Sequence, residues 1–489
     1  MAAAPAAAAS PGALTVSVST ADMRVTASGQ TQVTARVKSG TAPAAGKVVS
    51  FSGPSGSSFS PPAPTTDATG TATTTLTLGD PWAKPGSTVA VSAVAGSASA
   101  SQGLTVTGAN LLVAGSGYTS SFAQEALVFP SPVVQATGSD YSATYVLLAD
   151  GTVWAKGRNG SGQLGDGTTT DSVSTWKQIP GLAQVAQIAA GGQSAYALLS
   201  DGTVRAWGSN ASGQLGDGTT VDRYRPVPVL ASAGTTLTGV AEISGGFSQC
   251  QARLSDGTVR SWGANDHGQL GVGPASSALY ATGVVLGFDP TNPTQPSDSP
   301  LSDVVQISTG RWTTLALTKS GTVYAWGYNV NGSVGNGDSG DNADQRRAVK
   351  VLSGSPGANG TPSYLSNVTA VSAGSFSSYA ILADKTVMAW GRNAYGELGS
   401  SRAGSQAPTP VAVDGLTDVV QIAGGREYVA ALRSDGTVLT WGGNSSGQLG
   451  NGGTVQRSSP GSVTSLQSQT VARIGSLALG FATFLVTQV

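Results

Sequence analysis

One cysteine, Cys250, and one histidine, His267, stand in a chain of 489 residues. No disulfide can therefore form within the chain, and no Cys/His metal cluster can be assembled. A Ser-His-Asp arrangement would have to use His267, which occupies the variable slot of "WGANDHGQLG", where the matching positions hold Ser161, Ser212 and Tyr395. That reads as loop filler rather than a general base. Charge is scarce too: charged residues make up 10% of the chain and the formal net charge is −1. Nothing in that balance suggests a nucleic-acid surface or an anionic membrane as partner. No apolar run approaches a transmembrane span, which excludes membrane insertion by helices. No cofactor and no metal are expected. The opening "MAAAPAAAASPGALTV" lacks both a basic start and an apolar run. It reads, over residues 1–12, as an Ala/Pro-rich remnant left by export, so an extracellular or cell-surface bacterial protein is expected.

Glycine is plentiful instead, with 68 residues, while hydrophobic residues are an ordinary 39%. That is the profile of an all-β chain with many tight turns. The stretch "SDGTVRAWGSNASGQLGDGTT" (200–220) packs glycines, aspartates and hydroxyls as a phosphate or metal loop would. Variants of it, however, begin at Ala149, Ser255, Lys319, Ala383 and Ser434 as well. The glycine that ends each first phrase falls at 157, 208, 263, 327, 391 and 442. Self-similarity at such a period marks a stacked or radial repeat, so the stretch is architecture.

Residues 13–107 carry no repeat but alternate apolar and polar positions, as in "LTVSVS" and "TQVTARV". About seven short strands folded as a sandwich are predicted there. The phrase "VVSFSGPSGSSFSPPAPTTDATGTATTTLTL", with Thr66, Asp67 and Gly70 in a turn before a Thr-rich strand, resembles the bacterial immunoglobulin-like domains of the invasin and intimin kind. Such domains are extracellular spacers.

From Asn110 onward the repeat governs. "VAQIA", "SAYALL", an Asp-Gly turn, "TVRAWG" and "PVPV" give four antiparallel strands per unit. The Pro-bearing fourth strand belongs at an edge, because proline cannot donate into a central ladder. Radial repetition of such sheets predicts a β-propeller over 110–489. The tryptophans Trp154, Trp207, Trp262, Trp326, Trp390 and Trp441 are expected to wedge between neighbouring sheets. Residues 110–133 read as third and fourth strands, and 470–489 as first and second. Paired, they complete a seventh blade and remove the exposed edges of an open array.

The pattern [Asp-Gly]-Thr-Val-x-x-Trp-Gly-x-Asn-x-x-Gly-Gln-Leu-Gly closely resembles the regulator of chromosome condensation repeat family. The resemblance spans roughly 110–489 and implies a seven-bladed propeller. The functions it implies differ widely: nucleotide exchange on a small nuclear GTPase, plant UV-B sensing, and β-lactamase inhibition by secreted actinobacterial propellers.

In a repeat scaffold a ligand site lies where the copies differ. The loop between first and second strands reads Ser139-Asp140-Tyr141, Gly192-Gln193, Phe247-Ser248, Arg311-Trp312, Ser375-Phe376 and Arg426-Glu427-Tyr428, with Phe481 in the seventh. All these loops belong on one face, opposite the Asp-Gly turns. The candidate partner-binding residues are accordingly Tyr141, Phe247, Arg311, Trp312, Phe376, Arg426, Tyr428 and Phe481, since aromatic and arginine side chains on short rigid loops make interaction hot spots. The bland alternative is that each aromatic packs on its neighbour. Two insertions, 274–300 and 338–367, are assigned to the opposite face. Asp338, Asp341 and Asp344 in the second lack the spacing of a calcium loop, and a solvated polar loop is expected. The leading function is a secreted, monomeric, non-enzymatic protein that grips a protein or an extracellular polymer. A β-lactamase inhibitor is one form of it. A polysaccharide hydrolase or lyase is the enzymatic alternative, for which Asp140 and Glu427 offer the carboxylate pair.

Overall fold

A computed structural model describes the chain except for residues 1–13, 21–23, 27–29, 54–56, 78–87, 108–110, 116–120, 122, 125–128, 141–142, 275, 288–297, 355–361, 464–465, 467–470, 476–481 and 488–489. The stretch read as a leader remnant lies outside the described residues. All regular elements among the described residues are β-strands, with no α-helix. The chain divides into two compact units: Met1–Asn110 with Gln124–Pro132 and Val489, and Leu111–Ala123 with Val133–Gln488.

In the first unit, one sheet joins Leu14–Thr20, Gln30–Ser39, Thr71–Thr77 and Ser58–Ser60 in that order, with Ala42–Pro43 paired beside Gln30–Ser39. A second joins Arg24–Thr26, Ala98–Thr107, Thr88–Ala95 and Ser50–Ser52. Alternation sends Val33, Ala35, Val37, Ala72 and Leu76 inward from the first sheet, where they share one core with Phe51, Val91 and Ala93 of the second. The Thr66-Asp67-Gly70 turn is locked by local bonds. Asp67 Oδ1 accepts from the Thr69 hydroxyl at 2.7 Å, the Thr71 N–H at 2.9 Å and the Thr69 N–H at 2.8 Å, and these, the hydroxyl foremost, hold its carboxyl below the usual range. Gly70 adopts φ 76°, and a Cβ there would strike the Val37 carbonyl.

The second unit contains seven four-stranded sheets. In chain order the first strands of the first six are Val133–Gly138, Val185–Ala190, Val240–Gly245, Val304–Thr309, Val368–Ala373 and Val419–Gly424. The seventh sheet is composite. Leu111–Gly115 pairs with Ala482–Thr487, Leu111 facing Val486, and Val471–Ile474 lies beyond as its first strand. The expected pairing of the two ends of the repeat region is therefore present.

Each repeated phrase has a structural duty. In Asp201-Gly202-Thr203 the carboxylate accepts from the Thr203 N–H at 2.9 Å and hydroxyl at 2.7 Å, while Gly202 takes φ 79° to complete the hairpin. In the next turn Asn210 is fully buried, its Oδ1 accepting from the Leu215 N–H and its Nδ2 donating to the Thr219 carbonyl. A buried loop backbone thus finds partners without water. Asn159, Asn329, Asn393 and Asn444 repeat the device.

Trp207, Trp262, Trp326, Trp390 and Trp441 are wholly buried, and each indole N–H donates to a carbonyl in the preceding repeat's turn. Each thus bonds one repeat to the one before it. Trp154 does not hold the equivalent position. Thr144 pairs with Lys156 in the first sheet as Ala195 pairs with Trp207 in the second, so the equivalent position holds Lys156, and Trp154 lies one strand alternation away, half-buried. Reading "WAKG" as a shifted "WG" ignored that alternation, which sends residues two apart to one face but keeps their depths distinct.

First strands are stitched to one another in succession. Gln135 donates to the Ile188 carbonyl and accepts from its N–H at 2.8 and 2.9 Å, and Gln187 does the same to Ile243. Glu242 accepts from the Ile307 N–H, Gln306 embraces Val371, and Gln421 embraces Ile474. Ser372 Oγ accepts from the Gly424 N–H between the fifth and sixth sheets. Arg473 of the seventh donates to the Val134 carbonyl of the first at 3.4 Å. These strands line a cavity of about 600 Å3.

Candidate functional site

Antiparallel order brings two sets of loops to one end of each of the first six sheets: those between first and second strands, and the turns between third and fourth. The first set is short and mutually bonded. The Gly192 N–H donates to the Phe247 carbonyl and the Phe247 N–H to the Arg311 carbonyl, while the Ser375 N–H donates to the Gly425 carbonyl. The glycine at each loop root lets its neighbour approach: a Cβ on Gly310 would collide with the carbonyl of Gly374. These bonds tie the described tips of neighbouring sheets to one another.

Asp140 ties three of them together. Its Oδ2 accepts from Arg311 Nη1 and its Oδ1 from Arg426 Nη1, both at 2.8 Å, and its side chain is only 4% exposed. Sheets one, four and six thus meet through a single carboxylate. The Arg311 guanidinium also lies 4.1 Å from the Phe247 ring centre and 4.9 Å from that of Trp312. Cation–π contacts of this kind are worth roughly 0.5–2 kcal/mol each, more as they are desolvated.

Trp312 is the hub of an aromatic cluster. Its ring centre lies 6.0 Å from Phe247, 5.9 Å from Phe376, 5.4 Å from Tyr328 and 5.3 Å from His267. Edge and tilted contacts of this sort add to simple area burial. All five residues are half-buried. Arg392 extends the cluster, lying 5.3 Å from Phe376 and 5.0 Å from Tyr395. Arg392 is in turn held by Glu427 at 3.2 Å and Glu397 at 3.4 Å. Burial raises the Glu397 carboxyl to about 7, against the lowering effect of backbone N–H donors and Arg392.

The regulator of chromosome condensation (RCC1) repeat matches residues 150–198, 201–250, 256–317, 385–432 and 435–476, and a second form of it matches 185–214, 304–333, 368–397 and 419–448. The chain belongs to the RCC1 repeat family. It is 28% identical over 338 residues to the Arabidopsis thaliana ultraviolet-B receptor UVR8, covering 68% of this chain and 70% of the receptor. It is 30% identical over 358 residues to the human E3 ubiquitin-protein ligase HERC2, covering 72% of this chain but 7% of the ligase. Among solved structures, human WBSCR16 superposes with a TM-score of 0.61 at 21% identity, over 76% of this chain and 89% of that one. Prp20p from Saccharomyces cerevisiae, described with its binding to Gsp1p and histones, gives 0.60 at 20% identity, over 77% and 91%. These likenesses establish the RCC1-like propeller fold.

On that RCC1-like frame the residues expected at the loop tips divide. Phe247, Arg311, Trp312 and Phe376 come together, and Arg426 joins them through Asp140. Tyr141 and Phe481 lie outside the described residues. Tyr428 is corrected: it opens the second strand of sheet six, is 1% exposed, and donates its hydroxyl to the Ala482 carbonyl at 2.6 Å. It is a core residue, because one position beyond the tip the chain has already entered the ladder.

His267 is not mere filler. Its ring packs on Trp312 and Tyr328, and its Nδ1 meets Asp344 at 2.9 Å. That contact also corrects the placement of the second insertion, whose segment 338–344 precedes its fourth strand (Gln345–Lys350) and so lies on the loop face; the described residues that follow Lys350, 351–354 and 362–367, lie opposite. Asp338 and Asp344 serve the Asn329 turn, and among the described residues no group of three or more Asp, Glu, His or Cys is placed to hold a metal. Tyr328 and Arg392 were missed, and the slot of His267 and Tyr395 was read as loop filler, because binding residues were sought in the first set of loops. The variable slots after each "WG" would have found them. As for the hydrolytic pair, Asp140 has both oxygens on guanidiniums and Glu427 is bound to Arg392.

Proposed function

We propose that this chain is a secreted, non-enzymatic binding protein that grips a protein partner on the face carrying the Trp312 cluster. In this reading the seven four-stranded sheets are the blades of a propeller, closed by pairing of Leu111–Gly115 with Ala482–Thr487. Residues 13–107 form an immunoglobulin-like spacer, and the molecule acts as a monomer. The observation that carries the proposal is the union of Phe247, Arg311, Trp312 and Phe376, from three different sheets, in one half-exposed cluster on mutually bonded loops. Core positions of a repeat protein are uniform between copies, as the five buried tryptophans are; these are not. Large rings held in place bring contact area at little entropic cost. The protein class of the partner is supported by Prp20p, described with binding to Gsp1p and histones.

The test is affinity capture from culture medium on the full chain and on a Trp312→Ala/Phe376→Ala variant that melts like the wild type, read by mass spectrometry for protein and glycan. Retention of a protein by the wild type, reduced about tenfold or more by the variant, is expected. Equal capture by both would remove the loop face from the account.

A further inference from the structure

Inside the cavity lined by the first strands, one sheet departs from the pattern of the others. The third residue of the first strand is Gln135, Gln187, Glu242, Gln306, Gln421 or Arg473 in six of the sheets, and Ala370 in the fifth. Gln306 spans to sheet five by accepting from the Val371 N–H at 2.9 Å and donating to its carbonyl at 3.1 Å. Ala370 has no amide with which to treat Ile422 of sheet six in the same way. Ile422 pairs with Ala431 as Ile188 pairs with Ala197. In that register the Ile188 N–H and carbonyl point away from the second strand, to Gln135. Gly424, two residues beyond Ile422, fixes the direction, since its N–H donates to Ser372 Oγ of sheet five at 3.0 Å. The Ile422 N–H and carbonyl therefore face sheet five side by side, and no side chain among the described residues bonds to either. The cavity reaches further into its wall at the same place. Leu432 of sheet six is the one second-strand residue that lines it among the described residues. Val420 lines it too and is 49% exposed, so the cavity is open to solvent on that side.

We infer that this cavity binds a small neutral molecule ending in a primary carboxamide, which sits between sheets five and six as a glutamine side chain does between the others. One amide satisfies both groups of Ile422, its oxygen accepting from the N–H and its NH2 donating to the carbonyl. A carboxylate would set an oxygen against the Ile422 carbonyl, and an ammonium would set its hydrogens against the Ile422 N–H. Either leaves one buried backbone group without a partner, which costs free energy. Ile422 is 7% exposed, so its backbone has little water to turn to. Ser372 Oγ already accepts from Gly424 and keeps its own proton for an acceptor on the ligand. The cavity, at about 600 Å3, has the size of a small-molecule site. None of these residues belongs to the Trp312 cluster.

The test uses the full chain and matched fragments: butyramide and benzamide, each with its carboxylate and its methyl ketone as twins. Binding is read by saturation-transfer NMR titration. The carboxamides are expected to bind about tenfold or more tightly than either twin. Ala370→Gln, which supplies the amide from the chain itself, abolishes their binding and raises the melting temperature by about 1–2 °C. Ala370→Leu, which takes the space without a polar atom, abolishes binding with no such rise. Gln135→Ala, which leaves Ile188 as Ile422 is left, adds a second equivalent site. Twins of equal affinity, carboxamide binding that survives in Ala370→Gln and Ala370→Leu, or no second site in Gln135→Ala would overturn the inference. So would the absence of saturable binding of either carboxamide to the wild type, which leaves water as the only occupant.

Discussion

Glu397 shows how much one atom of difference matters at residue scale. It fills the slot held by Gln163, Gln214 and Gln269 in other repeats, and its backbone carbonyl still serves Trp441 as theirs serve Trp207, Trp262 and Trp326. Burial raises its carboxyl from the usual 4.5 to about 7. A carboxyl whose folded value is raised contributes stability that is fully present below the unfolded value and is lost as pH rises through the folded one. The chain is therefore expected to lose stability between about pH 4.5 and 7 through this group. Glu397→Gln should remove that part of the pH dependence and raise the melting temperature at pH 8 by a few degrees, measured by calorimetry across that range. A melting temperature unchanged at pH 8 would contradict the assignment. Asp140 is the opposite case, a buried carboxylate whose two oxygens are both occupied. Asp140→Ala leaves two guanidiniums facing each other, with an expected cost of about 3–5 kcal/mol in chemical denaturation.

At the scale of elements, the indole between sheets is the recurrent fastening. Trp207→Ala removes a fully buried ring, its contact with Tyr145 and its bond to the Gln163 carbonyl. A loss of about 3–5 kcal/mol follows from cavity formation. Trp154→Ala, at a half-buried position, is expected to cost less than half as much. Denaturant midpoints of the two variants check the correction in register; equal losses would restore Trp154 to the fastening role. The repeat was legible because its turns need particular residues: Asp-Gly for the hairpin and buried asparagine for the following loop. Lys156 was not legible as the tryptophan surrogate, since a motif reader follows the letter while the ladder follows the register. The same limit hid Tyr428. Sequence marks the tip of a loop to within a residue, and one residue separates an exposed tip from a buried strand. Half of the aromatic cluster was hidden for another reason. Trp312 and Tyr328 lie sixteen residues apart in sequence, and only antiparallel pairing returns the chain to the same face.

For the whole molecule, the account depends on seven sheets whose first strands are bonded in an unbroken succession. Deleting residues 471–489 removes Val471–Ile474 and Ala482–Thr487, strips Leu111–Gly115 of its partner and cuts the link from Arg473 to Val134. The truncated chain is expected to aggregate or to melt over a broad range at lower temperature, because an open array exposes strand edges. A sharp transition at the wild-type temperature would contradict the proposed closure. The central claim, that the face around Trp312 is where a partner sits, is tested most directly by hydrogen exchange on the full chain with and without the captured protein. Protection is predicted in 246–249, 310–313, 374–377 and 425–427, together with the turns around Tyr328 and Arg392. Protection confined to residues 14–107, or to the stretches 284–303 and 351–367 that follow fourth strands, would contradict it.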